Sequence, residues 1–290
     1  MTMFLDLRLQ PVGGELAARV ATCQGTSFAS YTGMLVGELL AAIRGRHVLV
    51  ATHGFNVNRA DGIACLSNWE NILQLPPASA FVGLLWPGDS IWAHGLDYPD
   101  EPKVADRAGA LVAQFIDASF QDAASVSFAS HSLGARVVLS TIAHMSGPVR
   151  RLTLMAGAID DNCLTAEFAA AAAKVESISV LASKKDTTLS RLFPIGNFFA
   201  GIIDAGHPWW RAAIGHAGPA QSWPANFRPP YEIPDGWDFN HGNYLQINQP
   251  AAPNLPLPVD VPPQGTPAPE NAYAGWQEAF SAAFESTRFR

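Results

Sequence analysis

Ser132 stands at the centre of Ser130-His131-Ser132-Leu133-Gly134, and a serine flanked two positions away on each side by small residues fits a nucleophile held at a tight strand-to-helix turn. The hydrophobic period changes there. Val126, Phe128 and Ala129 read as a short buried strand, whereas Val137, Val138, Thr141, Ile142 and Met145 recur at helical spacing. Such a turn strains the backbone at the serine and needs small neighbours; Gly134 is one, and Ser130 stands where the usual pattern has glycine. A hydroxyl so placed becomes a nucleophile only if a histidine takes its proton and a carboxylate orients that histidine.

Both groups are sought downstream of the serine, in the order nucleophile, acid, histidine. Asp186 follows the strand Ile178 to Leu181 in S-K-K-D-T-T-L and is the first candidate for the acid; Asp160 and Asp161, which follow the preceding strand, compete with it. An aspartate at a loop-to-helix junction also suits a helix N-cap, which is the plain structural reading of each. Of the histidines beyond the serine, His241 in D-F-N-H-G-N-Y-L lies where an irregular segment returns to the core, and it is favoured as the base. His207 and His216 fall within an aromatic segment and read as lid residues, while His131 reads as a packing or hydrogen-bonding side chain.

Attack on a carbonyl also needs donors for the oxygen that becomes negative, commonly two backbone amides. The Leu133 N-H, at the start of the helix after Ser132, is one. The other is expected from His53-Gly54-Phe55-Asn56, where Gly54 lets the backbone approach closely and Phe55 presents its N-H; the Asn56 side chain could add a third donor.

These groups need a framework that brings strand ends together. Phe4 to Leu9 alternates apolar and polar residues as an edge strand would, and Ala17 to Thr22 suggests an antiparallel partner. Helices are expected over Met34 to Arg44, Asp61 to Leu75, Lys103 to Phe120 and Thr165 to Lys174. The apolar runs His47 to Thr52, Ala80 to Trp86, Leu152 to Met155 and Ile178 to Leu181 suit strands buried on both faces. This alternation predicts an α/β protein with a mostly parallel, doubly wound sheet, in which ligands bind outside the carboxyl ends of the strands. Residues 190–237, rich in glycine, proline and aromatics, read as a cap, residues 249–269 as a proline-rich surface segment, and Glu270 to Glu285 as a closing helix, all within a single domain of 1–290.

With 48% hydrophobic and 15% charged residues among 290, the chain has the composition of a globular protein with a large core. A net charge of -7 without clustered lysine and arginine argues against nucleic acid as a partner. Cys23, Cys65 and Cys163 are scattered without metal-ligand spacing, which suits buried thiols in a reducing compartment. Neither an export signal nor a stretch approaching the ~18 apolar residues of a membrane span is found, so a cytoplasmic protein without an integral membrane segment is expected. No H-E-x-x-H, G-x-G-x-x-G or P-loop is present, and no metal or other cofactor is expected.

Taken together, H-G-F-N, W-P-G-D, S-H-S-L-G, the aspartate after S-K-K and H-G-N-Y resemble the serine-dependent α/β-hydrolase superfamily, most of all its bacterial esterase/lipase-like members with an H-G-F/Y-N turn. The resemblance spans about Val48 to Leu245 and implies an α/β-hydrolase fold with a Ser132, Asp186, His241 triad and an oxyanion hole from Phe55 and Leu133. It implies a carboxylesterase acting through an acyl-enzyme on a small-molecule ester. The aromatic cap favours apolar or aromatic substrates, with Gly54, Asn56, Trp86, Trp209 and Trp210 expected to line the pocket. Thioesterase, amidase and acyltransferase chemistry would use the same triad, and a hydrophobic-ligand binding module without catalysis is the remaining alternative.

Overall fold

Strands β4 (His47–Thr52) and β5 (Ser79–Leu85) consist of residues that are all buried, as continuous apolar runs with both faces covered must be. They form the centre of a sheet seen in a computed structural model that describes residues 1–13, 15–73, 75, 77–89, 101–191, 193, 211–220, 222–229, 231–233, 235 and 239–244. The chain begins with β1 (Thr2–Arg8), β2 (Leu16–Gly25), β3 (Thr32–Gly33) and α1 (Val36–Ile43). After β4 come α2 (Arg59–Leu73), β5, α3 (Glu101–Ser119), β6 (Ser125–His131), α4 (Gly134–His144), β7 (Val149–Met155), α5 (Ala169–Ala173) and β8 (Val175–Leu181). The eight strands lie in the order β3-β2-β1-β5-β4-β6-β7-β8, parallel from β1 to β8, with β2 antiparallel to both β1 and β3. No helix among the described residues is long and apolar enough to cross a membrane.

The order of the central strands creates the site. From β4 the chain passes to β5 on one side and then crosses to β6 on the other, so the strand ends of β4 and β6 form a topological switch point. Their register pairs Thr52 with Ser130, which sets the residues that follow, Gly54 and Ser132, side by side. Helix α4, which leaves that point, is fixed at both ends. Arg136 forks onto the Asp106 carboxylate of α3 at 3.0 and 2.9 Å. The Lys174 ammonium donates to the carbonyls of Ile142, Ala143 and Met145 at 3.2, 2.8 and 2.6 Å, capping the helix C-terminus.

Two expectations need correction. Strand β1 is interior, between β2 and β5, not an edge. Its polar residues Asp6 and Arg8 are as buried as Phe4, Leu5 and Leu7, so the alternation separates a polar network from the apolar core and not the core from water. The helix expected over Thr165 to Lys174 is regular only over Ala169–Ala173; the backbone before it turns to bury Cys163, Leu164 and Phe168. Within the expected cap, the chain near Phe227 and Glu232 runs parallel to β8, bridging Ile178 and Ala182, and so covers the outer edge of that strand. Residues 249–269 and the closing helix lie outside the described residues.

The polar network joins the loops after β1, β4 and β5. The fully buried Arg8 side chain pairs with Asp89 and donates to the carbonyls of Val57 at 3.0 Å and Trp86 at 2.9 Å. The second oxygen of Asp89 accepts the Gly13 N-H at 2.8 Å, and Asp6 takes Arg59 at 3.0 Å and the Tyr31 hydroxyl at 2.8 Å. Breaking a buried pair strands a charge away from water, so Asp89→Ala is expected to lower stability by about 3–5 kcal/mol. The exposed Arg44–Asp122 pair provides the contrast: Asp122→Ala should cost less than about 1 kcal/mol. Urea unfolding of both variants checks this, and comparable losses would contradict the role given to the network.

Candidate active site

Ser132 adopts φ 54°, a left-handed conformation that an L-residue holds only at a cost of order 1–3 kcal/mol. Hydrogen bonds keep it there. Its N-H donates to the Met155 carbonyl at 3.0 Å, and its own carbonyl accepts from Ala135 at 3.0 Å and Ala158 at 3.1 Å. The small flanking residues are required by contact. A Cβ on Gly134 would fall 2.5 Å from the His53 carbonyl oxygen, and one on Gly54 would fall 2.6 Å from the Ser132 Cβ. Ser130, fully buried, fits the place of the other glycine.

His241 Nε2 lies 3.0 Å from Ser132 Oγ, and its Nδ1 lies 2.7 Å from Asp186 Oδ2. An imidazole that donates Nδ1-H to a carboxylate has its Nε2 lone pair free to accept the serine hydroxyl, so the three side chains form one directed chain of hydrogen bonds. Asp186 has no exposed surface, and its Oδ1 accepts the Leu189 N-H at 2.9 Å. One carboxylate therefore caps the helical turn after β8 with one oxygen and meets the imidazole with the other. Asp161 instead pairs with Arg211 at 2.8 Å, and Asp160 bridges to Ala213; neither is the partner of His241.

The backbone that carries His241 is tied to the segment that carries Asp186. Ser183 donates its hydroxyl to the Phe239 carbonyl at 2.5 Å, and Asn240 Oδ1 accepts the N-H groups of His241 at 2.8 Å and Thr187 at 3.2 Å. On the other side, His131 Nε2 donates to the His241 carbonyl at 2.8 Å. From the sequence alone, Ser183 and Asn240 have no role and His131 only that of a packing or hydrogen-bonding side chain. Their partners lie more than fifty residues away or in an irregular loop, and only Asn240, beside His241 in D-F-N-H, carried a local signal.

The turn after β4 is held from behind. His53 Nδ1 donates to the Gly54 carbonyl at 2.9 Å, Trp86 Nε1 donates to the His53 carbonyl at 3.0 Å, and the two rings stack at 6.0 Å. Asn56, at φ 58°, spends its N-H on the Gly88 carbonyl at 2.6 Å and exposes its side chain. Trp86, expected in the pocket wall, has no exposed surface and lies beneath the site, where its ring supports His53. Phe55 is half-buried beside Gly54. Leu133, at φ -64°, turns into α4 with its N-H given to no acceptor among the described residues. Trp209, Trp210 and His207 lie outside those residues; His216 sits in the short helix Ile214–Ala217. No group of three or more His, Cys, Asp or Glu among the described residues could hold a metal ion.

Residues 32–197, more than half of the chain, match the family described as "Alpha/beta hydrolase of unknown function (DUF900)". The chain belongs to this α/β-hydrolase family. The matched region contains the H-G-F-N turn, W-P-G-D, the Ser132 turn and Asp186, and it ends before His241, which is placed beside them by geometry. No curated protein matches the chain.

In this α/β hydrolase the two histidines next to the site are neutral. Burial lowers His53 from 6.5 to about 4, and burial followed by the nearby His241 lowers His131 to about 3. The unfolded chain takes up protons at both near 6.5, where the folded protein does not. Their contribution to stability is therefore complete above pH 6.5, declines as the pH falls, and is gone below the folded values of about 4 and 3. The urea midpoint should fall between pH 7 and pH 4.5, and His53→Gln should shrink that fall. An unchanged pH dependence in the variant would contradict the buried neutral state of His53.

Proposed function

We propose that the protein is a serine hydrolase of carboxylic esters, with Ser132 as nucleophile, His241 as general base and acid, and Asp186 as the group that orients His241. The observation that carries this reading is the hydrogen-bonded chain from Ser132 Oγ through His241, at 3.0 and 2.7 Å, to a fully buried Asp186. Three segments far apart in sequence converge to make it, at the switch point where an α/β sheet binds its ligands.

Ser132 Oγ attacks the ester carbonyl carbon as its proton passes to His241 Nε2, and the carbonyl electron pair moves onto oxygen. The N-H groups of Phe55 and Leu133 receive that oxyanion. For Phe55 the support is stereochemical: the Gly54 carbonyl is held by His53, and in a trans peptide the N-H of the same unit points the opposite way. The oxyanion collapses, the C–O bond of the ester breaks, and the leaving alkoxide takes the proton from His241. Water, deprotonated by His241, then attacks the acyl-serine, releases the acid and returns the proton to Ser132. The Asp186 carboxylate holds the imidazolium between these steps.

An apolar or aromatic acyl group suits the composition of residues 190–237, in which nine aromatic residues stand beside six charged ones. The same triad would serve a thioester, an amide or transfer to a second alcohol, and products formed in the presence of added alcohols and amines separate these from hydrolysis. Ser132→Ala should lower kcat/KM on a p-nitrophenyl ester by about 10⁴-fold or more, and Asp186→Asn by about 10²–10⁴-fold. Asp161→Asn, whose carboxylate serves Arg211, should stay within about twofold. Wild-type turnover in Ser132→Ala would refute the assignment.

A further inference from the structure

His131 precedes the nucleophile as the last residue of β6, is almost fully buried, and presents its ring to His241 with centroids 4.7 Å apart. Its Nε2 lies 2.8 Å from the His241 carbonyl oxygen. A carbonyl only accepts, so Nε2 carries the hydrogen, which fixes the tautomer of His131. Tyr244 closes the far side of the ring at 5.9 Å.

Two other ties on this loop, among the described residues, run to a different segment. Ser183 to Phe239 and Asn240 to Thr187 hold it to the segment that bears Asp186, and so align base with acid. They do not fix the distance from base to nucleophile. His131 does, because it is bonded to Ser132 through the chain and to His241 through this hydrogen bond.

We propose that His131 is a positioning residue for the general base, tethering the main chain of His241 to the strand that carries Ser132. This rests on the reading of Ser132 and His241 as nucleophile and base. The reaction makes the requirement severe: His241 gains and loses a proton in each half-reaction and must remain within hydrogen-bond reach of Oγ throughout. Burial keeps the His131 ring uncharged, so the imidazolium that forms 4.7 Å away meets no like charge from it.

The test is a set of three substitutions read by kinetics and by proton NMR. A shift of the base of order 1 Å costs about 10²-fold, so His131→Leu should lower kcat on a p-nitrophenyl ester by about that factor. KM should stay within about threefold, because the tether acts on the base and not on the bound ester. His131→Gln should recover most of the rate, since its amide N-H reaches about as far as Nε2; His131→Asn, one carbon shorter, should remain as slow as the Leu variant. The low-field proton resonance of the His241–Asp186 bond should be sharp in wild type and His131→Gln and broadened in the other two. Wild-type kcat in His131→Leu, or equal losses in all three variants, would overturn the proposal. If the Leu variant does not fold, a difference between Gln and Asn supports the tether and equality overturns it. If wild-type protein hydrolyses no ester, the ester-hydrolase reading fails, and the resonance still decides whether His131 holds His241 in place.

Discussion

The rest of the site depends on the contact between Gly54 and Ser132. Parallel pairing of β4 with β6 sets the two strand ends so close that a Cβ at Gly54 would lie 2.6 Å from the serine Cβ and 3.2 Å from its Oγ. Only glycine allows this approach, and it brings the H-G-F-N turn against the serine. The left-handed φ of Ser132 then follows from the need to leave β6, clear β4 and enter α4 within a few residues. Helix α4 is anchored at both ends by Arg136 and Lys174, so the strain is carried by a rigid frame and is not relaxed by shifting the helix.

Behind that contact lies an unusual amount of buried polarity. Arg8, Asp89, Asp6 and His53 are almost wholly removed from water, and burying them costs free energy that only their hydrogen bonds offset. Five of these bonds run between loops at the carboxyl ends of the strands: Arg8 to Val57, Trp86 and Asp89, Asp89 to Gly13, and Trp86 to His53. Apolar packing would have filled the same space without fixing the angle of any peptide plane. Directional bonds do fix it, and the Gly54–Phe55 peptide is the one whose orientation bears most directly on Ser132.

Features decided by neighbours in sequence were legible before the structure. Strand β4 is legible to the residue because both its faces are apolar, and the turn at Ser132 because its period changes within seven residues. Asp186 is legible from the sequence both as a cap and as a candidate acid, and its two oxygens have different partners, the Leu189 N-H and His241. What stayed hidden depends on distant partners. Arg8 looks like the exposed face of an edge strand until Asp89, 81 residues on, is found beside it. Trp86 looks like a pocket wall until its ring is seen beneath His53. His131 is bonded to a residue 110 positions away, and no local pattern announces that bond.

The central claim is that one serine, activated by His241 and Asp186, is the nucleophile. The most direct measurement is peptide mapping by mass spectrometry after treatment with a fluorophosphonate. The account predicts a single phosphonyl adduct on Ser132, with labelling greatly slowed when His241 is replaced by glutamine. An adduct on another residue, or no adduct in folded wild-type protein, would contradict it.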